Sequence, residues 1–484
     1  MDTVVKETDI IQEFMELLKQ QNVILQELKK GNGKTKQTPA QFSTATLLHG
    51  PGGIFSTPGL SRDIITAYVR PYGLASQLLH LPSVDTDPRF GSITGFTDVE
   101  GSEPEHACDD APAGYMKGCN LTARFGMVRR DSQTIEMDKV MLRLHRGDFT
   151  DLVLRGRVLG LFNEAPSGLS ETDMLNVVSM SEMVGVGVQT ERVLNRLYWT
   201  GSPAIGTQFP GLDLQIATGQ VDADLNTPCS ALDSDVKSFA YNFVCGTVLD
   251  IVEYLSMMEF YLRNNAEKMG LMPVVWALVM RPELWFELSA CWPCRYLTNR
   301  CTDFGTNTNA VVINDNVNVA MRDAMRNGLY IDINGNRYPV VLDTGIFEHT
   351  NANNANLNPG EFASSIYFVP LTITGNFPVT YIEYVDYTAA QPDRALLQGK
   401  EDWWWTDAGR FSWALEQVKW CWKFSLKTEP RIILRTPQLA GKIQYVKYSP
   451  LQHIREPFPD SPYWMDGGVS LRPTSNPYAV WWTR

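Results

Sequence analysis

Hydrophobic residues recur every three or four positions over residues 3 to 30, with Glu, Lys and Gln between them. This spacing predicts an amphipathic helix. The residues of its apolar stripe are Ile11, Phe14, Leu18, Leu25 and Leu28. Two lysines and a glycine, Lys29-Lys30-Gly31, end the helix. Because an isolated helix of this length is marginal in water, we expect the stripe to pack on a partner and interpret it as an assembly helix.

Apolar and polar residues alternate over residues 121 to 127, which is the period of a β-strand. A second strand is predicted over residues 134 to 145, where a slip of one position indicates a bulge. Between the two strands lies a charged tip, Arg129-Arg130-Asp131-Ser132-Gln133. The pattern therefore predicts a long hairpin. A two-stranded ribbon is at best marginally stable alone in water, so this one must lie on another surface.

Helical spacing returns at residues 170 to 198, where Ser170-Glu171-Thr172-Asp173 fits a capping box. Gly185 and Gly187 each cost about 1 kcal/mol relative to alanine inside this helix, so we expect a close neighbour there. The elements predicted next are a helix over 235 to 269, a buried strand over 272 to 280 and a helix from Arg281-Pro282 to about Ala290.

The remaining segments complete a mixed architecture. Residues 41 to 115 are rich in turns, which favours an extended arm over a compact unit. Short β runs dominate from 305 to 390, among them Asn336 to Leu342, and a helical pattern follows Trp403-Trp404-Trp405. Strands over 431 to 434 and 442 to 448 are predicted near the end of the chain. The fold class predicted from this mixture is α+β.

Charge and composition exclude several classes of protein. The 484 residues contain 42 Lys and Arg against 54 Asp and Glu, a net charge of −12. This balance argues against a protein whose whole surface grips nucleic acid. The sequence contains no run of eighteen or more apolar residues, so we predict no membrane-spanning helix. The first residues lack the pattern of a secretory signal, so we expect most of the eight cysteines to be reduced core thiols.

Cys291-Trp292-Pro293-Cys294 has the spacing of a thiol-redox pair. That chemistry needs the first cysteine at the N-terminus of a helix, whereas here the pair follows a predicted helix. A zinc site would need a fourth ligand beside Cys291, Cys294 and Cys301, and no His or Cys lies nearby in the sequence. We therefore interpret these cysteines as structural, and we predict no catalytic, cofactor-binding or metal-binding residues.

Six tryptophans lie within residues 403 to 422, namely Trp403, Trp404, Trp405, Trp413, Trp420 and Trp422. They allow two interpretations. A sugar-stacking platform would make the chain a carbohydrate-binding protein, whereas a buried aromatic core or a contact between subunits is the more common use of such residues.

The order of these parts resembles the major capsid proteins of tailed bacteriophages, which have the Hong Kong 97-like fold. Phe125-Gly126-Met127-Val128-Arg129-Arg130 through Glu136 is similar to the extended loop of that family. Residues 170 to 198 correspond to its spine helix, and Val275 to Leu288 is similar to its strand-then-helix segment. Residues 430 to 450 resemble its closing strands. The resemblance covers roughly residues 41 to 455.

This resemblance implies six regions along the chain. They are an N-terminal helix and linker (1 to 40), an N-terminal arm (41 to 114), an extended β-hairpin loop (115 to 150), a peripheral domain with the spine helix and the start of the axial domain (151 to 300), the axial domain (301 to 430), and closing strands with a C-terminal tail (431 to 484). It also implies that the loop contacts neighbouring subunits. The contact residues expected there are Phe125, Met127, Arg129, Arg130, Asp131 and Glu136.

The function implied by the resemblance is that of a non-enzymatic shell subunit without cofactors. Copies would form hexamers and pentamers around double-stranded DNA, which would be held non-specifically, and would assemble in the host cytoplasm into a virion capsid. Implied partners are a scaffold or maturation protease, a portal and decoration proteins, with no membrane. The alternatives are an encapsulin-like cargo container of the same fold and, in a different class, a thiol-redox enzyme using Cys291 and Cys294.

Overall fold

The computed structural model describes residues 69–94, 118–132, 135–136, 171–246, 248–298, 315–387, 403–406, 409–418 and 421–449. The predicted assembly helix, with Ile11, Phe14, Leu18, Leu25 and Leu28, lies outside these residues. The described helices are α1 (Glu171–Thr200), α2 (Leu212–Gln215), α3 (Ile251–Lys268), α4 (Pro282–Thr298) and α5 (Asp315–Gly328). The helix predicted over 170 to 198 is therefore confirmed as α1.

Strands account for most of the remaining regular structure in the described residues. Those in the first half of the chain are β1 (Leu79–Ser83), β2 (Arg89–Gly91), β3 (Asn120–Thr122), β4 (Val128–Asp131), β5 (Ile135–Glu136), β6 (Asp235–Ser238) and β7 (Val275–Met280). Those that follow are β8 (Tyr330–Ile333), β9 (Asn336–Leu342), β10 (His349–Thr350), β11 (Phe362–Ile373), β12 (Phe377–Pro378), β13 (Thr380–Val385), β14 (Trp403–Thr406), β15 (Phe411–Val418), β16 (Cys421–Thr428), β17 (Pro430–Leu434) and β18 (Gly441–Tyr448). The α+β class is confirmed.

A central mixed sheet runs in the order β6-β18-β11-β7-β9-β8, and β10 and β12 pair with β11. Both of its faces are buried. Along β7, Ala277 and Val279 point into one hydrophobic cluster, and Leu278 and Met280 point into the other. This near-continuous apolar run is typical of a strand covered on both sides. It explains why the strand predicted over 272 to 280 is found.

Helix α1 packs between the central sheet and a second sheet of order β14-β15-β16-β4, in which β5 also pairs with β16. One cluster joins Met183 and Leu194 of α1 to Ala277 of the central sheet and to Trp413 and Phe424 of the second sheet. With 30 residues, α1 is about 45 Å long at 1.5 Å per residue. It therefore serves as a hydrophobic support for two sheets at once. Helices α3 and α4 cover the opposite face of the central sheet.

Residues 69–94, here called the arm, lie across the body of their own chain. Strand β1 pairs in parallel with β13, which pairs antiparallel with β17. Earlier in this segment, the Leu74 amide donates to Oδ2 of the buried Asp343 at 2.8 Å. The other oxygen of Asp343 accepts from Asn195 of α1 at 2.7 Å. One carboxylate thus joins the arm, α1 and the turn that follows β9. Gly73 is required beside it, because φ is +61° and a Cβ would lie 2.3 Å from Oδ2 of Asp343.

The two glycines of α1 offer a matched test of this packing. A Cβ at Gly187 would lie 2.4 Å from Cγ2 of Val69, whereas a Cβ at Gly185 would meet no described atom within 4 Å. We expect Gly185→Ala to raise the free energy of unfolding by about 1 kcal/mol, and Gly187→Ala to lower it by about 1–3 kcal/mol through overpacking. Urea denaturation measures both, and equal stabilisation by the two variants would contradict the contact with Val69.

Three predictions about secondary structure are wrong. Strands β4 and β5 both pair antiparallel with β16, so the chain does not reverse at residues 129 to 133 and the expected hairpin is absent from the described residues. Residues 235 to 246 and 248 to 250 are not helical. They form β6, which pairs in parallel with β18, and then an irregular connection in which Ala240 and Tyr241 have φ values of 50° and 57°. The Trp403 region forms β14 and β15 instead of leading into a helix.

The state of the cysteines also differs from the expectation. Disulfides join Cys119 to Cys229 and Cys245 to Cys291, with Cα–Cα distances of 6.8 and 5.8 Å. Both distances lie within the ordinary range for a disulfide. Cys421 is unpaired and partly buried. The predicted reduced state is therefore wrong for the four cysteines of the two disulfides.

Candidate assembly surface

The loop that leads into β4 is fixed by backbone contacts with two distant parts of the chain. The Gly126 amide donates to the carbonyl of Pro430 at 2.9 Å, and the Met127 amide donates to that of Thr207 at 2.8 Å. A Cβ at Gly126 would lie 2.6 Å from Cδ1 of Phe209. Glycine is therefore needed where this loop passes over the segment that follows α1.

The buried side chain of Arg431 also contacts this loop. The Arg431 side chain is 6% exposed, and its Nη2 lies 2.6 Å from the Glu383 carboxylate. Its Nη1 donates to the carbonyls of Asp87 and Ala123 at 2.6 and 2.9 Å. The guanidinium also lies 4.2 Å from the ring centroid of Phe125, a cation–π distance. Phe125 is thus engaged with its own chain.

The charged residues of β4 form a partnered row along the edge of the second sheet. Nε of Arg129 lies 3.3 Å from Oδ1 of Asp131, and Nζ of Lys423 lies 2.9 Å from Oδ2. The Ser425 hydroxyl donates to Oδ1 of Asp131 at 2.8 Å. Partial burial acts to raise the pKa of Asp131, but the bonds from Lys423 and Ser425 and the charge of Arg129 outweigh it, so the pKa is lowered.

This shift has a definite sign in the stability of the fold. Because folding lowers the pKa of Asp131, the ionised carboxylate stabilises the folded chain at pH values above its ordinary pKa. That contribution is lost as the pH falls through the folded value. The Asp131 side chain is 37% exposed, so solvent screens the effect and the contribution is small.

The structure separates the predicted contact residues into two groups. Phe125 is half-buried against Arg431, whereas Met127 is 44% exposed. Arg129, Arg130 and Asp131 are also exposed. Glu136 lies in β5 opposite Cys421. Met127 and the charged row therefore form an accessible strip at the edge of the second sheet.

Sequence reasoning missed the buried polar residues that position this surface. The clearest is Arg431, which lies in the apolar run Pro430-Arg431-Ile432-Ile433-Leu434 of β17. A charge inside a buried strand requires a partner, so this run indicated that Arg431 forms a buried ion pair or hydrogen bonds. The partners Glu383 and Asp87 lie far away in the sequence, and no local pattern identifies them.

The described residues offer little support for a metal centre or a membrane segment. No group of three or more His, Cys, Asp or Glu side chains among them is placed to hold a metal ion. Within the same residues, no helix combines the length and the hydropathy needed to cross a bilayer. The Trp cluster is described in part, and Trp413 is fully buried in the core around α1, which agrees with the core interpretation for that residue.

No protein-family model and no curated protein sequence matches the chain. Among solved structures, the capsid asymmetric unit of cyanophage A-1(L) is similar with a TM-score of 0.44 and 11% identity, covering 78% of this chain and 93% of that one. The capsid of Ralstonia phage GP4 has a TM-score of 0.35 and 11% identity, covering 76% and 87%. An encapsulin complex from Synechococcus elongatus has a TM-score of 0.35 and 9% identity, covering 86% and 92%.

Proposed function

We propose that this chain is the major capsid protein of a tailed phage, a structural subunit that assembles into an icosahedral shell around double-stranded DNA. The observation that carries the proposal is the order of parts. An arm crosses the body, a long helix supports two sheets, and two strands, β17 and β18, complete two different sheets near the end of the described residues. The resemblance to Hong Kong 97-like proteins is based on the order arm, hairpin, long helix and α+β body, and the described residues contain these parts except the hairpin.

The geometry of assembly takes the place of a catalytic mechanism in this proposal. Heterologous contacts that close by rotation generate rings, here the hexamers and pentamers of a shell. A net charge of −12 would let DNA pack against the inner wall without adhering to it. The peripheral and axial domains, a scaffold or maturation protease, a portal, decoration proteins, assembly in the host cytoplasm and location in the virion belong to the same proposal.

Electron microscopy of the purified full-length chain tests the proposal directly. We expect closed shells tens of nanometres across, and only small particles would contradict it. An encapsulin-like container is the second candidate, and DNA inside particles isolated from infected cells separates the two. The thiol-redox alternative gains no support, because Cys291 is joined to Cys245 in a disulfide.

Charge reversal tests the exposed strip on β4. We expect Arg129→Glu with Arg130→Glu to weaken assembly and make it more sensitive to salt, because both side chains are exposed. Exposed pairs are worth about 0–1 kcal/mol, so the unfolding of the unassembled chain should change little. Light scattering during assembly at low and high salt measures the effect.

The matched control for this strip is Arg337→Glu. Arg337 is also exposed and lies 3.0 Å from Asp332 of the same chain, but it belongs to β9 of the central sheet and not to the sheet that contains β4. We expect this variant to assemble as the unsubstituted chain does. If the double variant and the control assemble equally well at every salt concentration, the strip on β4 is not a contact between subunits.

A further inference from the structure

The outer face of α3 carries apolar side chains that no other described part of the chain covers. Met257, Phe260 and Tyr261 are 55%, 68% and 48% exposed. The opposite face of the helix is already buried in the core through residues such as Leu255 and Leu262. A surface helix ordinarily has one apolar stripe and a polar outer face. A second stripe, on the outer face, therefore indicates an interaction surface.

The outer stripe has the spacing of a seam between two helices. Its successive positions are Glu253, Met257, Phe260, Asn264 and Lys268. Intervals of three and four residues keep side chains on one line along a helix and are typical of helix–helix packing. The apolar residues occupy the middle of the line, and charged residues occupy its ends. This is the arrangement of a contact with a desolvated centre and a polar rim.

The charges at the two ends are opposite. Glu253 lies in the first turn of α3, and Lys268 lies in the last. Arg263 lies on the flank, where its Nη1 is 4.0 Å from Glu259 of the same chain. A second α3 that packs antiparallel would place its Lys268 near the turn that holds Glu253, and the reverse contact would form at the other end. Antiparallel packing also brings helix ends of opposite dipole together.

We propose that the outer face of α3 is a self-association surface, on which α3 of a second copy of this chain packs antiparallel about a two-fold axis. With the axis between residues 260 and 261, Glu253 faces Lys268 of the second copy. Phe260 then lies opposite Tyr261 of the second copy, and the two Phe260 side chains come close to the axis. Such an isologous contact is self-complementary. The inference rests on the proposed function and names one face through which copies of the chain meet.

Cysteine cross-linking tests the position of the two-fold axis. We expect full-length chain carrying Phe260→Cys to form a disulfide-linked dimer under mild oxidation, seen on a non-reducing gel. The control is Leu225→Cys, because Leu225 is 74% exposed and lies outside α3. It should give no more dimer than the unsubstituted chain, which sets the background for the native cysteines.

Substitution and charge exchange test the contact itself. We expect Phe260→Glu to lower the yield of shells about tenfold, as for a central contact residue, with Leu225→Glu as control. Glu253→Lys and Lys268→Glu should each weaken association by up to about fivefold. The double exchange should restore association, because it reverses both partners of each pair. Circular dichroism of each unassembled variant shows whether it folds.

The outcomes separate this inference from the proposed function. Dimers of the Phe260→Cys variant without shells from the unsubstituted chain would support the contact and contradict the capsid proposal. Normal shells with no cross-link above the control, or normal shells from Phe260→Glu, would overturn the inference alone. Protection of the Phe260→Cys thiol from alkylation in the monomer would also overturn it, because another part of the same chain would then cover this face.

Discussion

Replacing Arg410 with methionine is expected to lower the free energy of unfolding by about 3–5 kcal/mol, because the change leaves a buried charge without its partner. Nη1 of Arg410 lies 2.8 Å from Oε1 of Glu191, and each side chain is only 3% exposed. Glu191 belongs to α1, and Arg410 precedes β15. The pair therefore connects the long helix to the second sheet. Urea denaturation of the unassembled chain, followed by tryptophan fluorescence, measures the loss.

A double variant separates the value of the pair from the cost of breaking it. Arg410→Met with Glu191→Leu removes both charges, and replacing a buried ion pair by apolar groups is often neutral or stabilising. We therefore expect the double variant to recover most of the loss. Arg337→Ala is the exposed control and should leave the free energy of unfolding nearly unchanged. A double variant no more stable than Arg410→Met would show that packing, and not the charge, explains the loss.

Removing the Cys119–Cys229 disulfide is expected to lower the free energy of unfolding by about 5 kcal/mol in the chain-entropy estimate for so long a loop. The two residues are 110 positions apart in the sequence. The bond ties the segment before β3 to the turn before β6, in a small core that includes Phe90 and Leu121. Thermal and urea unfolding of Cys119→Ser with Cys229→Ser, compared with the oxidised chain, measure the change.

Two comparisons make this result specific. Cys421→Ser changes an unpaired, partly buried cysteine and should leave stability nearly unchanged. Removing Cys245 and Cys291 together opens a loop of 46 residues, so we expect a slightly smaller loss of about 4 kcal/mol. Alkylation of Cys119 and Cys229 in the folded, non-reduced chain would contradict the disulfide itself.

Elements with a complete local signal were predictable from the sequence. The sequence of α1 contains both a capping-box pattern and a long apolar stripe, and the structure gives Glu171–Thr200 for the predicted 170 to 198. Strand β9 matches the predicted bounds, Asn336–Leu342. In each case the periodic pattern and the tertiary packing favour the same structure. Gly187 was also informative, because its cost in a helix predicted the close neighbour that proves to be Val69.

Elements that depend on distant partners were not predictable. The charges at Arg129 to Asp131 are typical of a solvent-exposed turn. In the structure, however, Asp131 bonds to Lys423 and Ser425 of β16, which lie almost 300 residues away in the sequence. The predicted helix over 235 to 269 failed at its start, because Ala240 and Tyr241 adopt left-handed backbone that only surrounding structure can impose. The disulfides join positions between which the sequence shows no spacing pattern.

Under mechanical force, two connections in the chain should respond differently. The packing of α1 between two sheets should resist as one unit, whereas residues 69–94 should detach in stages. Because α1 is shared by two sheets, pulling those sheets apart must break its apolar contacts and its buried ion pair together. Residues 69–94 are fastened at successive points instead, with Val69 on α1, Leu74 on Asp343 and then β1 on β13. A pull on the chain ahead of Val69 loads these points one after another. We expect this segment to peel away at a far lower force than the one that separates the sheets.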